Sequence, residues 1–130
     1  MVLMVDDDDD ALEIYSMLVK QTKFADYFTT INDPLKALGF LEKCHQTITE
    51  RFPRYILLDL NMPGFSGVEF VEKYEESYLS DHQQTEIIIL TSSVREKDNE
   101  KVLSFDSVAH FISKPLSKDK LISLIAESAA

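Results

Sequence analysis

The sequence of 130 residues contains little cysteine and little positive charge, and each shortage excludes a class of protein. Cys44 is the only cysteine, so the chain cannot be a small scaffold held together by its own disulfides. Lysine and arginine number 13 against 23 aspartate and glutamate residues, which gives a formal net charge of −10. This excess of negative charge disfavours binding to the phosphate backbone of DNA or RNA, which requires a basic surface.

Long apolar segments and targeting signals are also missing. No uninterrupted apolar run approaches the ~20 residues that a membrane-spanning helix needs. The N-terminal segment MVLMVDDDDD turns acidic at once and has no basic region, unlike a secretory signal. Apolar residues make up 45% of the chain, which is typical of a folded globular protein. We therefore expect a cytoplasmic protein of one domain, residues 1–130, that does not contact membranes.

Short apolar runs alternate with segments of helical spacing along the chain. The runs predict strands at residues 1–5, 27–31, 55–58, 87–90 and 110–112. Apolar residues three and four positions apart predict the first three helices; these residues are Ala11, Ile14, Tyr15, Leu18 and Val19, then Leu35, Leu38, Leu41 and Cys44, then Val68, Val71 and Tyr74. A fourth helix is predicted at residues 97–105, with Val102 and Phe105 apolar. A fifth begins at Ser117 and carries Leu121, Leu124 and Ile125.

The five-fold alternation of strand and helix predicts an α/β fold. Such a pattern forms a doubly wound, five-stranded parallel sheet with helices on both faces. We expect the flavodoxin-like strand order 2-1-3-4-5, in which the functional crevice lies at the carboxyl ends of the strands. Asp33 followed by Pro34 is a good start for the second helix, with aspartate as N-cap and proline in the first turn.

Polar residues that suit phosphoryl chemistry follow four of the predicted strands. Asp6 and Asp7 follow the first strand, Asp59 the third, Thr91 the fourth and Lys114 the fifth. Carboxylate oxygens are ligands that Mg²⁺ prefers, and a carboxylate can itself attack phosphorus. Lysine and threonine can hold a transferring phosphoryl group. Neither of the common glycine-rich phosphate loops occurs, so a phosphoryl donor would have to come from another molecule.

These residues, in this order, resemble the response regulator receiver domains of two-component signal transduction. The resemblance extends from Val2 to about Ala126. Its motifs are Val5-Asp6-Asp7, Leu58-Asp59-Leu60-Asn61-Met62-Pro63, Gly67, Thr91-Ser92 and Lys114-Pro115. The resemblance implies that Asp59 is the phosphoacceptor, that Asp7 binds Mg²⁺ directly and that Asp6 binds it mainly through water.

The resemblance assigns expected roles to four further residues. The backbone carbonyl of Asn61 would be a further Mg²⁺ ligand. Thr91 would hydrogen-bond the phosphoryl group, and Lys114 would pair with it. Phe111 occupies the position of the family's switch aromatic, which changes rotamer when the threonine moves. The Lys114–Pro115 peptide bond is often cis in the family, as X–Pro bonds allow.

The function that the resemblance implies is that of a single-domain receiver without an output domain. Its phosphoryl donor would be a sensor histidine kinase or a histidine phosphotransfer protein, and its output a changed contact with an unknown target protein. We expect no enzymatic activity beyond phosphorylation and dephosphorylation of the chain itself, and no direct contact with nucleic acid. Receivers also commonly form homodimers through the fourth helix, the fifth strand and the last helix.

Several alternatives stay open on the sequence. The chain could be a fragment of a longer regulator, a binding module that uses the fold without phosphorylation, or a small-molecule phosphohydrolase. Enzymes of the last kind usually carry an aspartate where Asn61 stands. Residues 8–10 also fit the acidic start of a helix, and Phe111 fits an ordinary core position. The three histidines, His45, His82 and His110, are far apart and lack metal-ligand spacing.

Overall fold

Five parallel strands form one sheet at the centre of the protein. The computed structural model describes residues 1–47, 52–60, 62, 64–91 and 101–130. The strands are β1 (Val2–Val5), β2 (Phe28–Ile31), β3 (Tyr55–Asp59), β4 (Glu86–Thr91) and β5 (Val108–Ser113). The sheet has the order β2-β1-β3-β4-β5, and every neighbouring pair is parallel. The predicted order 2-1-3-4-5 is confirmed.

Helices cover both faces of this sheet. They are α1 (Asp9–Lys20), α2 (Pro34–Thr47), α3 (Gly67–Tyr78) and α4 (Lys118–Ala129), and a 3₁₀ turn at Ala25–Tyr27 precedes β2. The Asp33 carboxylate accepts the backbone N–H of Leu35 at 2.8 Å, and the Ser117 hydroxyl accepts that of Lys120 at 3.1 Å. Both helix starts therefore lie where the sequence predicts them. None of the helices in the described part of the chain has the length and apolar character needed to span a bilayer.

The three central strands of the sheet are buried between two apolar layers. Successive residues of a strand point to opposite faces, and β1 is fully buried on both. Leu3 and Val5 pack into the layer beneath α2 and α3, which includes Leu41 and Tyr74. Val2 and Met4 pack into the layer beneath α1 and α4. This double burial explains why the strands read as continuous apolar runs in the sequence.

The buried faces of α1 and α2 differ from the predicted faces at one position each. Ile14 and Leu35 were predicted to face the core, and they are 59% and 61% exposed. Leu12 is buried in α1 instead, and Ala37 in α2. Periodicity indicates the spacing of an apolar stripe, but the packing of each helix on the sheet decides which residues at the margin of that stripe are covered.

Most of the fourth predicted helix lies outside the described residues. Residues 101–103 are helical, Val102 is fully buried and Phe105 packs partly against the core, as predicted. The following strand β5 contains an irregularity: Ile87 pairs with Val108, but Ile88 pairs with His110. β5 thus holds one extra residue near its start. Beyond that residue, each side chain of β5 faces the opposite side of the sheet from the one that uninterrupted alternation would give.

The exposed Leu35 and the buried Leu41 of α2 offer a matched test of this packing. We expect Leu41→Ala to lower the free energy of unfolding by about 2–5 kcal/mol, because it removes buried methyl groups and leaves a cavity. Leu35→Ala is expected to change the free energy of unfolding by less than ~0.5 kcal/mol. Urea unfolding followed by circular dichroism measures both values. A large loss in Leu35→Ala would contradict the observed face of α2.

Candidate functional site

Three aspartates meet at the carboxyl edge of the sheet. Val5 at the end of β1 pairs with Leu58 of β3, so the residues that follow them, Asp6 and Asp59, are brought side by side. One carboxylate oxygen from each of Asp6, Asp7 and Asp59 lies within 4.8 Å of the other two. Asp6 and Asp59 are buried, whereas Asp7 is exposed. The cluster predicted from the strand ends therefore exists, and it opens to solvent on the side of Asp7.

Lys114 carries the positive charge of this cluster. Its Nζ donates a hydrogen bond to Asp6 Oδ2 at 2.8 Å and lies 3.5 Å from Asp59 Oδ2. The other oxygen of Asp6 accepts the backbone N–H of Asp8 at 3.0 Å. Both carboxylate oxygens of Asp6 thus have donors, which offsets the cost of burying its charge.

Folding changes the acidity of Lys114 through two opposing effects. Burial lowers the pKa of Lys114, but its hydrogen bond to Asp6 and the negative charge of Asp59 together outweigh burial and raise the pKa above the ordinary 10.5. A lysine with a raised folded-state pKa stabilises the protein fully below its unfolded-state pKa, and this contribution is lost as pH rises through the folded-state value. Lys114 is therefore a fixed positive charge throughout the neutral range.

The backbone and Tyr15 hold Lys114 in place. The Lys114 N–H donates to the Thr91 carbonyl at 3.0 Å, which extends the pairing of β4 and β5 by one residue. The Lys114–Pro115 peptide bond is cis, as the resemblance implies. The Tyr15 hydroxyl donates to the Leu116 carbonyl and accepts the Leu116 N–H, each at 3.1 Å. The sequence marked Tyr15 only as an apolar helix position, and its role in fastening the lysine segment was missed because its partner is 101 residues away.

Thr91 and Phe111 lie on the same face of the sheet. Thr91 is buried at the end of β4, in register with Ser113 of β5. Phe111 pairs with Ile89, two residues before Thr91, and alternation along both strands places it on the Thr91 face. Phe111 is partly buried against the apolar layer beneath α2 and α3. Thr91 and Phe111 therefore occupy nearby positions on one face of the sheet, and Phe111 lies at the margin of the apolar layer beneath α2 and α3.

The rest of the aspartate run serves the start of α1. The Asp8 carboxylate accepts the N–H groups of Asp10 and Ala11 at 3.1 and 3.2 Å and is the N-cap. Asp9 accepts the side-chain amide of Asn32 at 2.8 Å. These contacts agree with the predicted role of residues 8–10 at a helix start. Asn61 and Ser92, which belong to the motifs of the resemblance, lie outside the described residues.

The donor set of this cluster fits a hard divalent cation. All three acidic side chains present oxygen ligands within 4.8 Å of one another, and oxygen ligands with an exposed side suit Mg²⁺, which retains several waters. Lys114 forms ion pairs with both buried carboxylates, Asp6 and Asp59. A divalent ion bound among the three carboxylates would add positive charge on the exposed side of the cluster, where Asp7 lies.

Comparison with known proteins agrees with this geometry. The family model described as response regulator receiver domain matches residues 2–126. The chain belongs to the response regulator receiver domain family. A solved two component response regulator from Cytophaga hutchinsonii is 25% identical, with a TM-score of 0.80, and the match covers 98% of this chain and 95% of that one. Membership of the family implies a phosphoacceptor role.

The curated relatives are longer proteins. The phosphate regulon transcriptional regulatory protein PhoB of Escherichia coli (strain K12) is 25% identical over 124 residues, which are 95% of this receiver and 49% of PhoB. The hybrid signal transduction histidine kinase D of Dictyostelium discoideum is 32% identical over 120 residues, 89% of this receiver and 7% of the kinase. The receiver thus spans about half the length of PhoB and a small part of the kinase.

Gly67 has a structural role in this receiver that its motif alone did not explain. It begins α3 and donates its N–H to the Leu60 carbonyl at 3.2 Å. A Cβ atom at Gly67 would lie 2.9 Å from Leu60 Cα and 3.2 Å from the Asp59 carbonyl oxygen. Only glycine allows the start of α3 to approach the backbone that carries Asp59 this closely.

We expect Gly67→Ala to lower the free energy of unfolding by about 1–3 kcal/mol, because the backbone at Leu60 must move to accept the added methyl group. Gly39→Ala is the matched control, since a Cβ at Gly39 meets nothing within 4 Å. In the interior of α2 this change should raise the free energy of unfolding by about 0.5–1 kcal/mol. Chemical denaturation distinguishes the two, and equal effects would refute the close approach at Gly67.

Removal of Lys114 tests its electrostatic role in the receiver. Lys114→Met should cost about 2 kcal/mol at pH 7, less than a fully buried pair, because the lysine side chain is 27% exposed. The difference from wild type should shrink only above about pH 10.5, as the raised pKa of Lys114 requires. Lys101→Met is the control, because Lys101 pairs with Glu72 at 3.4 Å on the surface and should contribute below ~1 kcal/mol. Denaturant unfolding at several pH values provides the data, and equal losses in both variants would count against the buried pair.

Proposed function

We propose that the chain is a phosphorelay receiver that accepts a phosphoryl group on Asp59 from the phosphohistidine of a sensor histidine kinase or a histidine phosphotransfer protein. The observation that carries the proposal is the cluster of Asp6, Asp7 and Asp59 around Lys114 at the carboxyl edge of the sheet. The position of Asp59 at the end of a central strand, beside the fixed positive charge of Lys114, supports its assignment as the phosphoacceptor. Receiver domains interact with histidine kinases or phosphotransfer proteins and with downstream targets. That this chain has partners of these kinds is part of the proposal.

The transfer step requires a nucleophile and a way to hold developing charge. A carboxylate oxygen of Asp59 attacks phosphorus and forms the new P–O bond, while the P–N bond to the donor histidine breaks. The bonding pair returns to the imidazole nitrogen, which takes up a proton from solvent. Lys114, 3.5 Å from Asp59 Oδ2, is placed to pair with the transferred phosphoryl oxygens, and such positioned charges are the main source of catalysis in phosphoryl transfer.

We propose that the reaction depends on Mg²⁺. Asp7, Asp59 and, mainly through water, Asp6 would hold the ion, together with the backbone carbonyl of Asn61. The all-oxygen donor set and the exposed Asp7 support this assignment. When bound, the ion supplies positive charge that neutralises the phosphoryl oxygens.

Phosphorylation is proposed to act as a switch of protein–protein contacts. The phosphoryl group adds roughly −1.5 to −2 charges, which attract Lys114 and the Thr91 hydroxyl. A shift of Thr91 would be transmitted to Phe111 on the same sheet face and bias two conformations of the adjoining surface. We propose that this surface includes the fourth predicted helix, β5 and α4, and that a homodimer or a target protein binds through it. We propose that the chain does not turn over small molecules. Its cytoplasmic location and its organisation as a single domain remain predictions from the sequence.

Intact-protein mass after incubation with Mg²⁺ and a small phosphoryl donor tests this function. Wild type should gain one phosphoryl group, about 80 Da, and Asp59→Asn should gain none because the nucleophile is lost. Phosphorylation of Asp7→Asn should require a much higher Mg²⁺ concentration than phosphorylation of wild type. Asp10→Asn is the matched control from the same acidic run, since Asp10 belongs to the first turn of α1, and it should behave as wild type.

The opposite results identify the alternatives. A phosphoryl group found on the Asp59→Asn variant would show that Asp59 is not the acceptor. A folded wild type that gains no phosphate from the small donor or from a panel of histidine kinases would favour the binding module without phosphorylation. Catalytic turnover of a small phosphoester, with no phosphoryl group retained on Asp59, would instead favour a phosphohydrolase.

A further inference from the structure

Lys114 lies in a short connection between β5 and α4, outside the sheet itself. β5 ends at Ser113, Ser117 is the N-cap of α4, and residues 114–116 lie between them. The long side chain of Lys114 is 27% exposed. The place of its ammonium group beside Asp59 therefore depends on how this connection is held.

Both backbone N–H groups of this connection bind other elements of the fold. The N–H of Lys114 donates to the Thr91 carbonyl at 3.0 Å, and Pro115 has no N–H to donate. The N–H of Leu116 donates to the Tyr15 hydroxyl at 3.1 Å, and the same hydroxyl donates to the Leu116 carbonyl, also at 3.1 Å. One side-chain oxygen on α1 thus binds both backbone polar groups of the residue that ends the connection.

Tyr15 is a firm anchor for these two hydrogen bonds. It lies in the middle of α1, and its side chain packs against the apolar layer beneath α1 and α4. Leu116 belongs to the same layer and is 4% exposed. Because this layer holds both side chains, the hydroxyl has little freedom to move away from the Leu116 backbone.

These contacts close a ring that returns to the acidic cluster. Asp6 Oδ1 accepts the N–H of Asp8, which is the N-cap of α1. α1 carries Tyr15, and its hydroxyl holds Leu116, two residues after Lys114. Lys114 Nζ completes the ring through its hydrogen bond to Asp6 Oδ2 at 2.8 Å. The Tyr15 hydroxyl is therefore a cross-link that fixes the backbone of Lys114 relative to the aspartates.

The position of Lys114 matters because phosphoryl transfer depends mainly on well-placed charges. A displacement of about 1 Å can lower the rate of an enzymatic reaction about 100-fold. We propose that Tyr15 is a positioning residue for phosphoryl transfer to Asp59, and that its hydroxyl keeps Lys114 Nζ within reach of the transferred phosphoryl oxygens. This role rests on the proposed function, in which Asp59 accepts the phosphoryl group.

Initial rates of phosphorylation from a small phosphoryl donor at saturating Mg²⁺ test this role on the whole chain. Tyr15→Phe keeps the ring and removes only the hydroxyl, so the variant should stay folded, which circular dichroism checks. Its rate should be about tenfold lower than that of wild type, because Lys114 is no longer held in one place. Mass spectrometry of the intact protein follows the phosphorylated fraction with time.

The opposite edge of the sheet provides a matched control. The Tyr78 hydroxyl donates to Glu42 Oε2 at 2.7 Å, beside a hydrogen bond of 2.8 Å between His45 Nδ1 and His82 Nε2. The expectation that the histidines are unrelated is wrong for this pair, because the packing of α2 beside α3 brings them together. Tyr78→Phe also removes one hydrogen-bonded hydroxyl, but far from the acidic cluster, and it should be phosphorylated as fast as wild type.

A double-variant cycle separates the positioning of Lys114 from a general structural role of Tyr15. If the hydroxyl acts through Lys114, Tyr15→Phe should slow phosphorylation of the wild type but should cause no further loss in the Lys114→Met background. A merely structural role would slow phosphorylation by the same factor in both backgrounds.

The reactivity of the Lys114 amine tests the same role without phosphorylation. Brief treatment with a trace of acetic anhydride, followed by peptide mass spectrometry, gives the labelling of Lys114 relative to that of Lys101, which is 60% exposed. Tyr15→Phe should raise this ratio several-fold, because Lys114 leaves Asp6 more often. Tyr78→Phe should leave the ratio unchanged.

Three results would overturn the proposal: a Tyr15→Phe rate equal to wild type, an equal loss in the Lys114→Met background, or an unchanged labelling ratio. If Lys114→Met accepts no phosphoryl group, the labelling ratio decides between the two roles. A wild type that accepts no phosphoryl group would instead refute the proposed function, and the labelling ratio would still show whether Tyr15 holds Lys114.

Discussion

The burial of two carboxylates beside one lysine is the interaction on which the functional end of this protein depends. Asp6 and Asp59 are withdrawn from water at the end of central strands, where unpaired charges would be costly. Lys114 offsets that cost, but only if β5 lies beside β4 and the chain turns back after Ser113 in one particular way. The backbone bond from Lys114 to Thr91 and the double hydrogen bond from Tyr15 to Leu116 secure that turn.

The apolar sheet provides the rigidity that such a site requires. Its central strands are buried on both faces, so their ends have little freedom to separate under the repulsion of neighbouring carboxylates. Gly67 adds a second constraint, because it lets α3 press against the backbone that follows Asp59. Charge is thus concentrated at one edge of a platform that is otherwise held by close packing.

The two edges of the sheet offer different chemistry. The carboxyl edge presents hard oxygen ligands and a fixed ammonium group, whereas the opposite edge presents a pair of imidazoles among aromatic rings. A parallel sheet separates these groups because all its strands run the same way, and helices such as α2 connect the two edges.

The sequence by itself determined the strand order, the helix starts at Asp33 and Ser117, and the set of residues at the carboxyl ends of the strands. These are consequences of local patterns, and parallel strands force their ends to meet whatever the sequence separation. Only the tertiary structure decided which residues at the margins of the apolar stripes of α1 and α2 are buried, how Tyr15 holds the segment after Lys114, and that His45 meets His82. Those contacts depend on packing between distant segments, for which no local residue pattern carries a signal.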